Sequence, residues 1–62
     1  MTPTINCNYE TEYWDEDVMF TFQGECISEQ PIENGCYIFE SGGEEIEVDT
    51  KDIIREVSRE LA

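Results

Sequence analysis

Asp49-Thr50-Lys51-Asp52-Ile53-Ile54-Arg55-Glu56-Val57-Ser58-Arg59-Glu60-Leu61-Ala62 is the stretch whose reading decides the fold class. Its apolar residues Ile53, Ile54, Val57 and Leu61 fall at i, i+1, i+4 and i+8, one stripe of a 3.6-residue period. That spacing predicts an amphipathic helix over about residues 50–61. Asp49 or Thr50 is placed to cap it, and Asp52 in the first turn suits the positive end of the helix dipole. Lys51, Arg55, Glu56, Arg59 and Glu60 would form its outer face, with Arg55 and Arg59 toward the negative end.

Upstream, the period changes from helical to strand-like. In Ile5-Asn6-Cys7-Asn8-Tyr9-Glu10-Thr11-Glu12-Tyr13 the alternation is strict. Ile5, Cys7, Tyr9, Thr11 and Tyr13 share one face, and Asn6, Asn8, Glu10 and Glu12 the other. A polar turn is expected at Trp14-Asp15-Glu16-Asp17. The run from Val18 to Ile27 then puts Val18, Phe20 and Phe22 on one face and Met19, Thr21 and Gln23 on the other. A four-residue loop pairs Tyr13 with Val18, Thr11 with Phe20 and Tyr9 with Phe22, so the two apolar sets meet. Gly24 reads as a bulge or bend.

A loop through Ser28-Glu29-Gln30-Pro31-Ile32-Glu33-Asn34-Gly35 carries turn chemistry at Pro31 and at Asn34-Gly35. The last hairpin is the clearest. Gly42-Gly43 suits a two-residue loop with positive φ at both positions, and it pairs Phe39 with Ile46 and Tyr37 with Val48. The expected fold is α+β. Four mainly antiparallel strands, at about 4–13, 18–27, 35–41 and 44–48, form two hairpins with one C-terminal helix packed on one face. The expected core is Ile5, Cys7, Tyr9, Tyr13, Val18, Phe20, Phe22, Tyr37, Phe39, Ile46 and Val48 against Ile53, Ile54, Val57 and Leu61. One helix covers one face, so the other is open to solvent or a partner.

Charge defines that open face. The chain has 62 residues, 16 of them acidic and only three basic, for a net charge of −13. No Lys or Arg occurs before Lys51, so the whole excess lies in the first fifty residues. The alternation aims Glu10, Glu12, Glu25, Glu40, Glu45 and Glu47 at the open face, with Asp15, Glu16 and Asp17 at one loop. Trp14, Met19 and Ile38 interrupt the acids and are the candidate apolar anchors of a contact there.

These facts exclude several classes of function. With no histidine there is no Ser-His-Asp triad and no Cys-His pair. Three cations cannot build a basic patch, which excludes direct binding of nucleic acid. Paired carboxylates need a concave site that separates their pKa values, and a sheet this small has no room for one; the protein is not expected to be an enzyme. Asp15-Glu16-Asp17 lacks the glycine and terminal Glu of a calcium loop. Cys7, Cys26 and Cys36 form no Cys-x-x-Cys pair, and Cys36 is expected on the face opposite the other two. No metal or cofactor is therefore expected. An odd cysteine count without a signal peptide or apolar span reads as reduced thiols, no membrane association and a cytoplasmic setting.

Carboxylates at i and i+2 of a strand lie roughly 6.6–6.8 Å apart, of the order of phosphate spacing along a nucleic-acid strand. A face studded in this way suits the Lys and Arg of a DNA- or RNA-binding protein, which it would occupy without a base being read. The plainer reading is that the acids keep a small protein soluble and its sheet edges unpaired. Against it stands the cost of self-repulsion in fifty residues without a base. In size and acidity, and not in any motif, the chain resembles the small accessory proteins of bacteriophages and mobile elements. Among these are DNA mimics: anti-restriction proteins, anti-CRISPR proteins and inhibitors of uracil-DNA glycosylase. The resemblance implies a non-enzymatic inhibitor of a basic nucleic-acid-binding protein in a bacterial host cell. The alternative is an interaction or virion-assembly module whose acidity serves solubility, with homo-oligomerisation left open.

Overall fold

The computed structural model describes residues 1–57. It holds one five-stranded antiparallel sheet in the order β4-β3-β2-β1-β5. The strands are β1 (Asn8–Asp15), β2 (Val18–Cys26), β3 (Tyr37–Ser41), β4 (Glu44–Val48) and β5 (Ile53–Val57). A single 3-10 turn, Thr50–Asp52, separates the last two.

The expected C-terminal helix is therefore corrected to a strand over its first part, and α+β to a mainly β fold; its end, including Arg59, Glu60 and Leu61, lies outside the described residues. The capping signal was real but local. The Asp49 carboxylate accepts a hydrogen bond from the Lys51 N–H at 3.0 Å, and the turn closes after three residues when the Ile53 N–H returns to the Thr50 carbonyl. Beyond it the chain pairs antiparallel with β1. Asn8 faces Val57, Tyr9 faces Glu56 and Glu10 faces Arg55, but Thr11 faces Ile53. Ile54 is thus the extra residue of a β-bulge. The bulge places two adjacent isoleucines on a strand without strict alternation, and that adjacency is what imitates a helical stripe. Ile53 is buried and Ile54 is exposed, whereas a docked helix would bury both.

The β3–β4 hairpin forms in the expected register, with Tyr37 opposite Val48 and Phe39 opposite Ile46. Gly42 and Gly43 take φ of 58° and 86°, the two positive values that a type I′ turn requires. The β1–β2 hairpin keeps the expected faces but shifts its register by two residues. Tyr13 faces Phe20, Thr11 faces Phe22 and Tyr9 faces Gly24. Its loop is Glu16-Asp17 alone, with Glu16 at φ 57°, so Trp14 and Asp15 belong to the strand and not to a four-residue turn. Gly24 stays in register and makes no bulge. A Cβ there would lie 3.1 Å from the Glu40 carbonyl oxygen and 3.4 Å from the Phe39 Cβ. The missing side chain lets β2 pass closely between the strands carrying Tyr9 and Phe39, whose rings meet edge to face at 5.8 Å.

The first strand starts later than expected, at Asn8, because Asn6 sits at φ 72°, a left-handed conformation that Asn tolerates better than most residues. The segment before it folds back on β2. The Asn6 N–H donates to the Cys26 carbonyl at 2.8 Å, and the Cys26 N–H to the Cys7 carbonyl at 2.9 Å. The Thr4 N–H donates to the Tyr9 hydroxyl at 2.7 Å.

Chain length forces the sheet to curl. β4 and β5 are its two edges, yet only residues 49–52 join them. Five flat strands at about 4.8 Å spacing would hold the edges about 19 Å apart. A link containing a 3-10 turn, rising about 2 Å per residue, cannot cross that gap. Curling brings Val48 and Ile53 together into one core with Tyr9, Cys26, Tyr37 and Phe39, and Cys7, Phe22 and Ile46 pack against it half-buried. Phe39 is 0% exposed. This core is smaller than expected. Tyr13, Val18 and Phe20 are exposed, because the end of the β1–β2 hairpin projects past the curl and no helix lies over it among the described residues.

Candidate functional site

The strand registers bring the six expected glutamates to one face of the sheet. Asn8, Glu25, Glu40 and Glu45 form a row across β1, β2, β3 and β4, each opposite the next. Glu10 stands two residues along β1 from Asn8, and Glu12 two further on. Glu47 stands two residues along β4 from Glu45. The two-residue shift in β1–β2 leaves this set intact, because a shift of two preserves the faces.

Neighbouring strands lie about 4.8 Å apart and successive residues of one face about 6.7 Å, so the carboxylates form a two-dimensional grid. Like charges directly opposite one another cost stability, and the chain accepts that cost at both Glu25–Glu40 and Glu40–Glu45. Local donors offset part of it. A Glu40 oxygen accepts from the Gly43 N–H at 3.0 Å, and a Glu47 oxygen from the Asn34 side-chain amide at 3.2 Å. Glu10 pairs with Arg55 at 2.9 Å. The guanidinium is well exposed, so the pair contributes little to stability, but it does place a cation at the β5 end of an otherwise acidic face.

The thiol of Cys36 reports the field at one margin of the face. Loss of hydration pushes its pKa up, and Asp49, Glu47 and Asp52 push it further, against the weaker opposite effect of Lys51. Burial likewise raises the pKa of Cys26, with a small further push from Cys7, against the opposing hydrogen bonds to Ser28. Both settings disfavour the thiolate and hence nucleophilic or metal-binding chemistry. Among the described residues no three Cys, Asp or Glu side chains are grouped to hold a metal ion.

The three expected apolar anchors divide. Trp14 and Met19 face each other across β1 and β2, on the glutamate face, beyond Glu12, and are 57% and 44% exposed. Ile38 shares the face opposite Glu47 but is half-buried. Asp15 separates from the set. It pairs with Val18 and so belongs to the opposite face, while Glu16 and Asp17 form the exposed hairpin tip. Tyr13, Val18 and Phe20 are exposed residues that sequence reasoning assigned to the core. Their position at a hairpin end, next to an acidic turn, was the available signal.

Among the described residues no helix is long and apolar enough to cross a membrane. Compared with known proteins, the chain matches no family model, no curated protein and no solved structure.

Proposed function

We propose that this protein is a non-enzymatic acidic binding protein that occupies the cationic surface of a nucleic-acid-binding protein in a bacterial cell, in competition with DNA or RNA. The observation that carries the reading is the row Glu25–Glu40–Glu45, with Glu10, Glu12 and Glu47 on the same face. A solubilising role requires charge anywhere on the surface. It does not require like charges on adjacent strands, where they oppose folding. A partner's Lys and Arg would relieve that repulsion on binding, so part of the strain in the unbound protein becomes affinity. The Trp14–Met19 pair at the margin supplies the apolar contact that a purely electrostatic complex lacks.

The test is capture from a nuclease-treated bacterial lysate on the immobilised protein, with parallel washes at low salt, at high salt and with excess duplex DNA. Glu25→Lys/Glu40→Lys/Glu45→Lys serves as control. The expected result is a nucleic-acid-handling protein that salt and duplex DNA release and that the control does not retain.

The exposed Trp14–Met19 pair also favours a second reading, an interaction or assembly module whose charge is incidental. A partner that survives both washes, and is lost with Trp14→Ser, would support that reading and refute the first.

A further inference from the structure

Behind the glutamate face, at the far ends of both hairpins, lies an open groove of about 340 Å³. Tyr13, Phe20 and Phe22 line it from the β1–β2 hairpin, and Ser41, Glu44 and Ile46 from β3–β4. Tyr13 is 46% and Phe20 51% exposed, an unusual state for neighbouring aromatic side chains unless something covers them. The lining is chemically specific: three aromatic rings, one aliphatic side chain, one hydroxyl from Ser41 and one carboxylate. Ring faces carry partial negative charge and attract cations, arginine above all because its flat guanidinium also stacks. A carboxylate matches the two parallel N–H bonds of the same group.

Charge selects the occupant. A second copy of the chain would bring another −13 against a hairpin that ends in Asp15-Glu16-Asp17. A wholly apolar segment would leave the Glu44 carboxylate to be desolvated without a partner. A basic segment meets both demands.

We propose that this groove docks an arginine side chain from a basic polypeptide segment, the guanidinium on Glu44 and its plane and stem against Tyr13 and Phe20. The inference rests on the reading of the protein as a binder of cationic partners, but it assigns a second contact surface on the opposite side of the sheet. A partner with an arginine-bearing arm would thereby be held from both sides of the β1–β2 hairpin.

The test titrates the isotope-labelled full chain with a hexa-arginine peptide and with its uncharged citrulline counterpart, following side-chain resonances of Tyr13, Phe20 and Ile46 and backbone resonances of Glu25 and Glu40. Saturable shifts at Tyr13, Phe20 and Ile46 with the arginine peptide alone are expected. Glu44→Gln should weaken the binding read from those shifts by about tenfold, the scale of one charged hydrogen-bonded pair. Phe20→Ser, at an exposed position and with its fold checked by its amide spectrum, should abolish the shifts at Tyr13 and Ile46, and Glu25→Lys/Glu40→Lys should leave them in place. Groove resonances that stay still, that respond equally to citrulline, or that are indifferent to Glu44→Gln would overturn the proposal. Shifts confined to Glu25 and Glu40 would overturn the groove and leave the sheet-face reading standing. Shifts confined to the groove would do the reverse.

Discussion

The two hairpins of this sheet are built alike and used differently. β3–β4 turns on two glycines at positive φ and buries Tyr37, Phe39 and Val48 on its inward side, with Ile46 half-buried beside them. β1–β2 turns on Glu16 at φ 57° and leaves Tyr13, Val18 and Phe20 exposed on the same side of the sheet. The β3–β4 hairpin has the turn chemistry and packing that favour one well-defined fold. The β1–β2 hairpin accepts a strained turn residue and uncovered aromatics, both of which cost stability in the lone chain. The difference teaches that the small core is concentrated at one end of the curled sheet, which leaves the other end free to vary its surface.

The largest effect should come from Phe39→Ala. Truncating a buried Phe costs about 3–5 kcal/mol, against a total of roughly 3–9 kcal/mol for a domain of this length. Urea melts followed by circular dichroism should show the variant largely unfolded near room temperature; a stable variant would mean that β3 does not hold the core. Ile53→Asp and Ile54→Asp form the next pair. The first buries a charge without a partner and should cost several kcal/mol, whereas the second sits on the bulge facing water and should change the urea midpoint little. Equal losses at both positions would contradict the bulge that turns Ile54 toward water.

The turns come next, with opposite signs. Gly43→Val should destabilise by about 1–2 kcal/mol, because Gly43 holds φ 86°, a left-handed backbone that a β-branched residue resists. Glu16→Gly should stabilise by about 0.5–1 kcal/mol by removing the same conflict from β1–β2. If both substitutions destabilise, the Glu16 side chain has a structural role that its backbone angle does not reveal. The smallest effect is Phe20→Ser, expected within about 1 kcal/mol of the parent, since the ring is half in water already. A loss near that of Phe39→Ala would erase the contrast between the hairpins.

Legibility in the sequence follows the same division. The register and turn of β3–β4 were readable because alternation and a Gly-Gly turn agree there, although β3 begins at Tyr37 and not at 35. β1–β2 was readable as to faces but not register, because nothing in Glu16-Asp17 announces a non-glycine residue at positive φ. The glutamate face survived that error because the register moved by an even number of residues. β5 was misread because the bulge at Ile54 breaks alternation at the very place where two isoleucines adjoin, although Ile53, Ile54 and Val57 are β-branched and favour strands. Tyr13, Val18 and Phe20 were misplaced for a different reason. Whether an inward-facing residue is buried depends on what lies over it, and the expected cover was a helix that the strand β5 replaces.

Residue-resolved amide exchange along the two hairpins of the unbound protein measures the division of labour itself. The amides of β3, those of β4 that bond to β3, and the inner halves of β1 and β2 should exchange last, at the level of global unfolding. The amides from Tyr13 to Phe20 should exchange much earlier, through local opening of a hairpin end that buries little. Uniform protection through both hairpins, or earlier exchange in β3–β4, would contradict the account of a stable core end of the sheet and a loosely held β1–β2 hairpin end.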